Sequence, residues 1–289
     1  NEKTPSFCVS QEKQFWYDFG NSEGGDVIHF IERTENLSFL EAVEFLADQS
    51  GLEVPKNFGQ DAPKKEAKKG IYDLHKNAKD FFATELQKNE TALKYLKDRN
   101  FDEVTIKEWG LGYGGDNQKG LSHWLLEKGF KEDLIAQSGV AFERSFGDKS
   151  MMDRFWGRIM IPICEPRNSD IVAFTGRDIL DRPKVGKYVN SPEIPVYHKS
   201  STLFGLEKAR KAIREQDQVI LVEGNFDVIR LHQKGFKTAV ACCGTSLTED
   251  HLRVLKRFTK NFIIAFDTDQ AGKKATLRSI EMILQIGLN

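Results

Sequence analysis

Three short apolar runs, separated by two amphipathic segments, dominate the carboxyl-terminal part of this chain. The runs are residues 219–222, 239–242 and 262–266, and each has the length of a buried strand. Helical patterns occupy residues 226–234 and 248–258, between the runs. This alternation predicts a βαβαβ unit with a parallel sheet and right-handed crossovers. In open sheets of this kind, ligands bind beyond the carboxyl ends of the strands.

Four acidic residues follow the ends of two predicted strands. Glu223 comes directly after the first run and Asp267 directly after the third, with Asp227 and Asp269 close behind. Crowded like charges repel unless protons or cations compensate them, and carboxylate oxygens suit Mg²⁺ or Mn²⁺. We therefore predict a divalent metal site suited to phosphoryl transfer, formed by Glu223, Asp227, Asp267 and Asp269. The alternative is that Asp267 and Asp269 cap the next helix while Glu223 ends a strand in solvent.

The acidic residues resemble the Toprim signature, in which Glu-Gly ends one strand and Asp-x-Asp ends another. DnaG-type primases share this signature with topoisomerases and some nucleases, and further motifs narrow the resemblance to the bacterial primases. Those motifs are Gly244-Thr245-Ser246, Asp267-Thr-Asp269-Gln-Ala271-Gly272, Lys187-Tyr188-x-Asn190-Ser191-Pro192-Glu193, His198-Lys199 and Leu203-Phe204-Gly205-Leu206. One departure is Asn225, because the family commonly carries an aromatic residue after Glu-Gly.

The resemblance implies a mixed fold, α+β and α/β. It would have a Toprim parallel-sheet core, a mixed α/β N-terminal subdomain and a small N-terminal module. The implied enzyme is a DNA-directed RNA polymerase, a nucleotidyltransferase that makes short RNA primers on single-stranded DNA for replication. Glu223, Asp267 and Asp269 would then be catalytic.

The same resemblance implies partners and a location. The partners are the single-stranded DNA template, nucleoside triphosphates and, in the primosome, the replicative helicase. The helicase would bind a C-terminal domain absent from these residues, and a second acidic pair of the family also lies downstream. The implied location is the bacterial cytoplasm, in association with the nucleoid, with no membrane partner.

Two other functions stay open on the residues alone. One is a Toprim nuclease or topoisomerase, although nothing marks any of the six tyrosines as the nucleophile that a topoisomerase needs. The other is a single-stranded nucleic-acid-binding module without activity. Primer synthesis from triphosphates distinguishes the primase from both.

A basic and aromatic segment, residues 154–199, precedes the predicted parallel sheet. Residues 158–163 and 171–177 are predicted to form paired strands with a turn between them. Cations that follow phosphates, together with rings that stack on bases, are typical of single-strand binding. The alternative is that the rings fill the core and the charges lie on a solvated surface. The residues predicted to bind nucleic acid or nucleotide are Arg154, Arg158, Arg177, Lys187 and Lys199, of which the last three match basic positions of the primase family.

Residues 1–55 are predicted to form a small module. Phe15, Tyr17 and Phe19 alternate as in a half-buried strand. Ser38 and Glu41 form the pattern of a capping box, which opens a helix that ends at Gly51.

The start of this module resembles the primase zinc-binding domain, through Asn1-Glu-Lys-Thr-Pro-Ser-Phe7 and Phe19-Gly20-x-x-x-Gly24-Gly25-Asp26. Asp18 and Asn21 stand where that domain has a cysteine pair, and the other pair would precede Asn1. Cys8 and His29 lack the spacing of a ligand pair. We therefore predict no zinc in this chain.

The remaining divisions follow from composition. Residues 56–70 are predicted to be a linker because they are charged, contain Gly and Pro and lack an apolar period. Residues 71–215 are assigned to the N-terminal subdomain of the polymerase domain and residues 216–289 to the Toprim core. Helices are predicted over residues 71–99, 104–109, 120–128 and 132–137, and a loop over 111–114.

Charge and cysteine use exclude other classes of protein. The formal net charge of −1 means that any nucleic-acid surface must be local. No segment resembles a signal peptide or a membrane span. Cys242 and Cys243 fall in a predicted buried strand, where reduced thiols suit a cytosolic protein.

Overall fold

A computed structural model describes residues 6–12, 14–20, 23–35, 37–52, 54, 62–144, 150–183 and 185–289. The chain divides into two compact units, Asn1–Glu66 and Ala67–Asn289. The division falls within the segment 56–70 that was predicted to be a linker. In the part of the chain that the model describes, no helix is both long enough and apolar enough to cross a membrane.

The first unit is a three-stranded antiparallel sheet followed by two helices. Trp16 is its main buried ring: it is 8% exposed, and its ring centroid lies 5.6 Å from Phe7 and 5.7 Å from Phe30. The strand predicted here is confirmed, but Phe15 and Phe19 are 43% and 66% exposed. Successive side chains of a strand alternate between faces, so burying Trp16 turns the Phe15 face outward. The elements are β1 (Phe7–Ser10), β2 (Phe15–Asp18), β3 (Glu23–Gly25), α1 (Val27–Glu35) and α2 (Phe39–Ser50).

The predicted capping box opens α2. The Ser38 side chain accepts a hydrogen bond from the Glu41 amide, and the Glu41 carboxylate accepts one from the Ser38 amide at 2.9 Å. Gly51 ends the helix with φ of +65°, a left-handed conformation that glycine adopts without a Cβ penalty. Both ends of α2 are therefore set by local sequence.

The next helix, α3 (Ala62–Lys88), begins inside the segment predicted to be a linker. Residues 62–70 of the predicted linker are therefore helical, and residues 56–61 lie outside the described part of the chain. Alanine, lysine and glutamate are strong helix formers, so this polar stretch can extend a helix whose later turns are anchored by the buried Ile71 and Leu74.

The predicted helices and strands of the second unit are present, although the helix predicted over residues 71–99 is interrupted at Asn89 and five short strands, at residues 112–113, 141–143, 151–153, 188–190 and 203–204, were not predicted. Residues 111–114, predicted to be a loop, contain β4, which pairs Gly112 with Met160. Another of these short strands, β10, runs antiparallel to β12. After α3 the elements are α4 (Glu90–Asp98), α5 (Glu103–Glu108), β4 (Gly112–Tyr113), α6 (Gly120–Glu127), α7 (Glu132–Gln137), β5 (Ala141–Glu143), β6 (Met151–Asp153), β7 (Arg158–Cys164), β8 (Ile171–Asp178), β9 (Tyr188–Asn190), β10 (Leu203–Phe204), α8 (Leu206–Gln216), β11 (Val219–Val222), α9 (Asn225–Gln233), β12 (Ala239–Cys242), α10 (Glu249–Leu255), β13 (Phe262–Ala265) and α11 (Gln270–Gln285).

Two four-stranded sheets organise this unit. The first has the order β4-β7-β8-β9 and is antiparallel, and the second has the order β10-β12-β11-β13. In the second sheet, β11 runs parallel to both β12 and β13, as the βαβαβ pattern predicts. The predicted fold class, a parallel Toprim core with a mixed α/β subdomain, is therefore confirmed.

Gly114 lies where two backbones approach each other after β4. A Cβ atom at this position would lie 1.9 Å from the carbonyl oxygen of Phe155. We expect Gly114→Ala to lower the free energy of unfolding by about 1–3 kcal/mol, because the clash can be relieved only by moving backbone. Chemical denaturation measures the change. The matched control is Gly120→Ala, whose Cβ would meet its nearest atom at 3.5 Å; a loss as large in the control would contradict the steric explanation.

Candidate metal and nucleic-acid site

Parallel pairing brings two of the predicted acidic residues together. β11 and β13 align Val219 with Phe262 and Val222 with Ala265, so both strands end at the same edge. Glu223 and Asp267 follow these ends. The Asp267 amide donates a hydrogen bond to Glu223 Oε1 at 3.1 Å. The carboxyl edge of the sheet therefore carries both carboxylates, as the sequence pattern predicts.

Asp269 lies at the same edge and also caps a helix. Its Oδ1 accepts a hydrogen bond of 2.7 Å from the Gly272 amide at the start of α11. The capping alternative is thus correct for one oxygen of Asp269. Gly272 has no room for a side chain, since a Cβ there would lie 2.1 Å from the Asp267 carbonyl oxygen and 2.9 Å from Glu223 Oε1.

Asp227 completes the acidic group from the first turn of α9. Burial raises the pKa of its carboxyl group, and the neighbouring charge of Asp267 raises it further. A Cβ on Gly224 would lie 2.5 Å from Asp227 Oδ2, so the preceding turn also depends on glycine. Burial and a neighbouring carboxylate both disfavour a further negative charge at this edge.

The acidic edge fits a hard divalent cation by the chemistry of its donors. Within the described residues, no three His, Cys, Asp or Glu side chains converge as a ready-made metal group. Mg²⁺ usually takes only one or two carboxylates and completes its shell with water and substrate phosphate. Glu223 and Asp267, linked through one hydrogen bond, are the pair best placed to hold it.

A cavity of 510 Å³ opens beside the acidic edge. Acidic and basic side chains line this cavity, together with hydroxyl groups from the loop that follows β12. The polar lining residues are Glu223, Asp269, Thr245, Ser246, Lys274 and Arg278. A ligand with phosphate and hydroxyl groups would find partners for both.

Arg177 anchors a cluster of cations and aromatic rings on the first sheet. Its Nε donates to the hydroxyl of Tyr95 at 2.9 Å, and its guanidinium lies 5.1 Å from the ring centroid of Tyr188. Arg177 is 7% exposed, and its Nη1 is buried without a hydrogen-bond partner among the described residues. A buried donor without a partner costs free energy, so this atom is suited to an incoming oxygen.

The cation–aromatic cluster lies within electrostatic range of the acidic edge. The charges of Arg177 and Asp227 both act on the pKa of Tyr188, which burial raises. Arg99 acts in turn on Asp227 and stacks on Tyr95, with 5.0 Å from its guanidinium carbon to the ring centroid.

Sequence analysis did not identify Tyr95 and Arg99 as site residues. Both fall near the end of the helix predicted over residues 71–99. Their one detectable signal was an aromatic residue and a cation four positions apart at the end of α4. Nothing local indicated that this end faces Arg177.

The five predicted basic residues divide into two groups. Arg158 is 2% exposed, and its guanidinium donates to the carbonyl oxygens of Gly176 and Lys187 at 3.3 and 3.4 Å. It therefore supports the β7–β9 backbone and is not presented to a ligand. Arg154 is half-buried, with its Nε bonded to the Gly139 carbonyl oxygen at 2.8 Å.

Lys187 and Lys199 present their side chains with the backbone held in place. Lys187 is exposed and lines a cavity of 390 Å³ together with Arg177 and Arg182. The Lys199 amide donates to Glu193 Oε1 at 2.9 Å, and its carbonyl oxygen lies 2.8 Å from His251 Nε2. Both ammonium groups are therefore carried on ordered segments.

Three family models match the chain. The N-terminal domain of the DNA primase catalytic core matches residues 81–210, and the Toprim domain matches residues 217–289. The CHC2 zinc finger matches residues 1–62.

Individual relatives agree with these matches. The chain is 37% identical over 290 aligned positions to a DNA primase of Clostridium acetobutylicum, covering 100% of this chain and 48% of that protein. It is 39% identical over 289 positions to a DNA primase of Pseudomonas putida, covering 98% and 43%. The chain thus spans about half the length of these curated relatives.

Solved structures of primases are similar to the computed model. The zinc-binding and RNA polymerase domains of the Aquifex aeolicus primase superpose with a TM-score of 0.70 at 34% identity, covering 100% of this chain and 68% of that one. A DnaG primase catalytic domain bound to single-stranded DNA gives a TM-score of 0.67 at 30% identity, covering 76% and 68%.

The zinc-finger match corrects the prediction that the chain has no zinc. That prediction counted donors only among these residues, whereas the match assigns residues 1–62 to a zinc-finger family. The donors that were weighed do not identify a site: Asp18 Oδ1 accepts a hydrogen bond from Gly20, Cys8 is exposed, and Asn21 lies outside the described residues. These residues therefore do not define a zinc ligand set.

Asp227 supplies a test of the charge at the acidic edge. Its folded-state pKa lies above the usual 3.8, so its stabilising contribution is present below that pH and is lost as pH rises through the raised value. We expect Asp227→Asn to be more stable than the native chain at pH 7 and to match it near pH 3. The carboxyl group remains partly solvated, so the gain should be below about 1 kcal/mol.

Chemical denaturation at the two pH values measures this difference. Asp73→Asn, on an exposed face of α3, is the matched control and should change little at either pH. A native-like stability of Asp227→Asn at pH 7 would contradict the electrostatic assignment.

Proposed function

Because this chain belongs to the DnaG-type family of bacterial DNA primases, we propose that it carries the catalytic centre for template-directed RNA primer synthesis on single-stranded DNA. The substrates are nucleoside triphosphates: a 3′ hydroxyl attacks the α-phosphorus, the bond to the β-phosphate oxygen breaks, and pyrophosphate leaves. The observation that carries the proposal is the acidic edge at Glu223 and Asp267, in a unit that also holds an unpartnered buried donor on Arg177.

In this proposal the acidic residues hold the metal. Glu223, Asp267 and Asp269 are assigned as catalytic metal ligands, with Asp227 nearby as a further oxygen donor. When bound, Mg²⁺ or Mn²⁺ would lower the pKa of the attacking 3′ hydroxyl and neutralise the charge that develops on the phosphate oxygens. Closeness of the carboxylates favours cation binding because the cation relieves their mutual repulsion.

The basic residues bind phosphate in this proposal. Arg177 and Lys187 line one cavity and would bind phosphate oxygens of template or triphosphate, with Arg177 Nη1 as an available donor. Lys199 would bind a further phosphate from its ordered loop. Two tyrosines orient the Arg177 guanidinium: the Tyr95 hydroxyl accepts a hydrogen bond from its Nε, and the Tyr188 ring packs against its face.

A partner and a location complete the proposal. We propose that the protein acts with the replicative helicase, at the nucleoid in the bacterial cytoplasm.

Loss of either carboxylate of the central pair tests the catalytic assignment. We expect Glu223→Gln and Asp267→Asn each to reduce primer synthesis by at least about 10²-fold, because each removes one anionic metal ligand. The measurement is incorporation of labelled triphosphate on a single-stranded template with Mg²⁺, using the full-length enzyme. Glu127→Gln and Asp73→Asn change the same groups at exposed positions elsewhere and should keep native activity. Native activity in Glu223→Gln would sink the assignment.

Salt dependence tests the phosphate contacts. We expect Arg177→Ala, Lys187→Ala and Lys199→Ala each to weaken template or triphosphate binding. Where the template contact is lost, the slope of log affinity against log salt should flatten by roughly 0.7 per phosphate. Lys211→Ala, at an 85% exposed lysine on α8, is the control. Unchanged affinity and slope in all three variants would leave these cations as solvated surface.

A further inference from the structure

A chain of three polar side chains connects the two sheets of the second unit beside the acidic edge. Asn225, the first residue of α9, donates through Nδ2 to the hydroxyl of Thr175 at 3.1 Å. That hydroxyl in turn donates to Asn190 Oδ1 at 2.5 Å. Thr175 on β8 and Asn190 on β9 are direct cross-strand partners, which explains why their side chains meet on one face.

The middle of this chain is secluded from water. Thr175 is 3% exposed and Asn225 is 7% exposed. Buried polar groups in a low dielectric are costly when unpaired, so each member depends on the next for a partner. Removing one link leaves the others without the bond that fixes their orientation.

The two hydrogen bonds run in one direction, from Asn225 to Asn190, because the Thr175 hydroxyl has only one proton to donate. Accepting from Asn225 occupies an oxygen lone pair of Thr175 and leaves its only O–H for Asn190 Oδ1. An amide whose oxygen is held in this way must turn its NH₂ group to the opposite side. Asn225 therefore determines which end of the Asn190 amide points away from Thr175.

The NH₂ group of Asn190 lies at Gly244. A Cβ on Gly244 would come within 1.9 Å of Asn190 Nδ2, and the φ of +74° at this residue also favours glycine. Gly244 opens the loop after β12 whose Thr245 and Ser246 line the cavity beside Glu223. The Asn190 donors thus stand next to the loop that borders the candidate nucleotide site.

We propose that Asn225 is a positioning residue: through Thr175 it holds the Asn190 amide so that its N–H donors serve a nucleoside triphosphate bound at this edge. The inference rests on the proposed function. Asn225 stands where the primase family commonly has an aromatic residue, which has no amide to donate. In this protein the hydrogen bonds from Asn225 to Thr175 and from Thr175 to Asn190 form a relay that connects α9 to the Asn190 amide.

The test compares triphosphate binding in variants of the full-length protein. The probe is ATP with Mg²⁺ and a single-stranded template, with Kd measured by titration calorimetry and KM and kcat measured in primer synthesis. We expect Thr175→Val and Asn225→Leu each to raise Kd and KM about tenfold with a smaller change in kcat, as loss of one oriented donor predicts. Thr175→Ser keeps the hydroxyl and should retain native affinity.

Non-additivity separates a relay from independent structural damage. Both substitutions break the same chain, so the double variant should lose about tenfold and not about a hundredfold. Thr84→Val, which removes an exposed hydroxyl on α3, controls for the substitution itself. Thermal unfolding checks each fold, and Asn225→Leu leaves the β8–β9 pair intact if Thr175→Val does not fold.

The outcomes distinguish the inference from its premise. Unchanged Kd in folded Asn225→Leu, or fully additive losses, would overturn the relay while leaving the proposed function in place. Absence of ATP binding by the native protein would overturn the proposed triphosphate site and the inference with it.

Discussion

The parallel register of β11 and β13 is the interaction on which the candidate site depends. It aligns Val222 with Ala265, so the residues that follow meet at one edge. Glu223 follows Val222 directly, and Asp267 lies two residues after Ala265. The Asp267 amide donates a hydrogen bond to Glu223 Oε1, which ties the two segments together beyond the strands. The backbone hydrogen bonds between β11 and β13 involve no charged group, yet they bring the carboxylates of Glu223 and Asp267 to one edge of the sheet.

Close approach at this edge requires positions without side chains. Gly224, Gly244 and Gly272 each lie where a Cβ would come within 3 Å of Asp227, of Asn190, or of the Asp267 carbonyl oxygen. Because these glycines have no Cβ atom, the polar groups can pack closely around the cavity. The raised pKa of Asp227 follows from the same crowding, since burial and the charge of Asp267 both oppose its ionisation.

Arg158 and the zinc prediction show the limit of reasoning from residue type. Arg158 fitted a phosphate-binding pattern, yet it is buried and bonded to backbone carbonyls, where it holds the segment that presents Lys187. Zinc was excluded by counting donors, yet the match of residues 1–62 to a zinc-finger family overturns that count. In both cases the residue types alone were insufficient. The contacts of Arg158 in the fold and the family match of residues 1–62 changed the interpretation.

Local pattern by itself determined most elements of this protein. Apolar runs predicted the strands of the parallel sheet, the Ser38 capping box predicted α2, and acidic residues at two strand ends predicted the acidic edge. These features depend on neighbours within a few positions, which a sequence displays directly. The tertiary structure decided the contacts between distant segments: Tyr95 with Arg177, and Asn225 with Thr175 and Asn190. The first bond forms because the end of α4 lies beside Arg177 of β8, and the others form because the start of α9 lies beside Thr175 of β8. Contacts of this kind leave no periodic pattern in either segment.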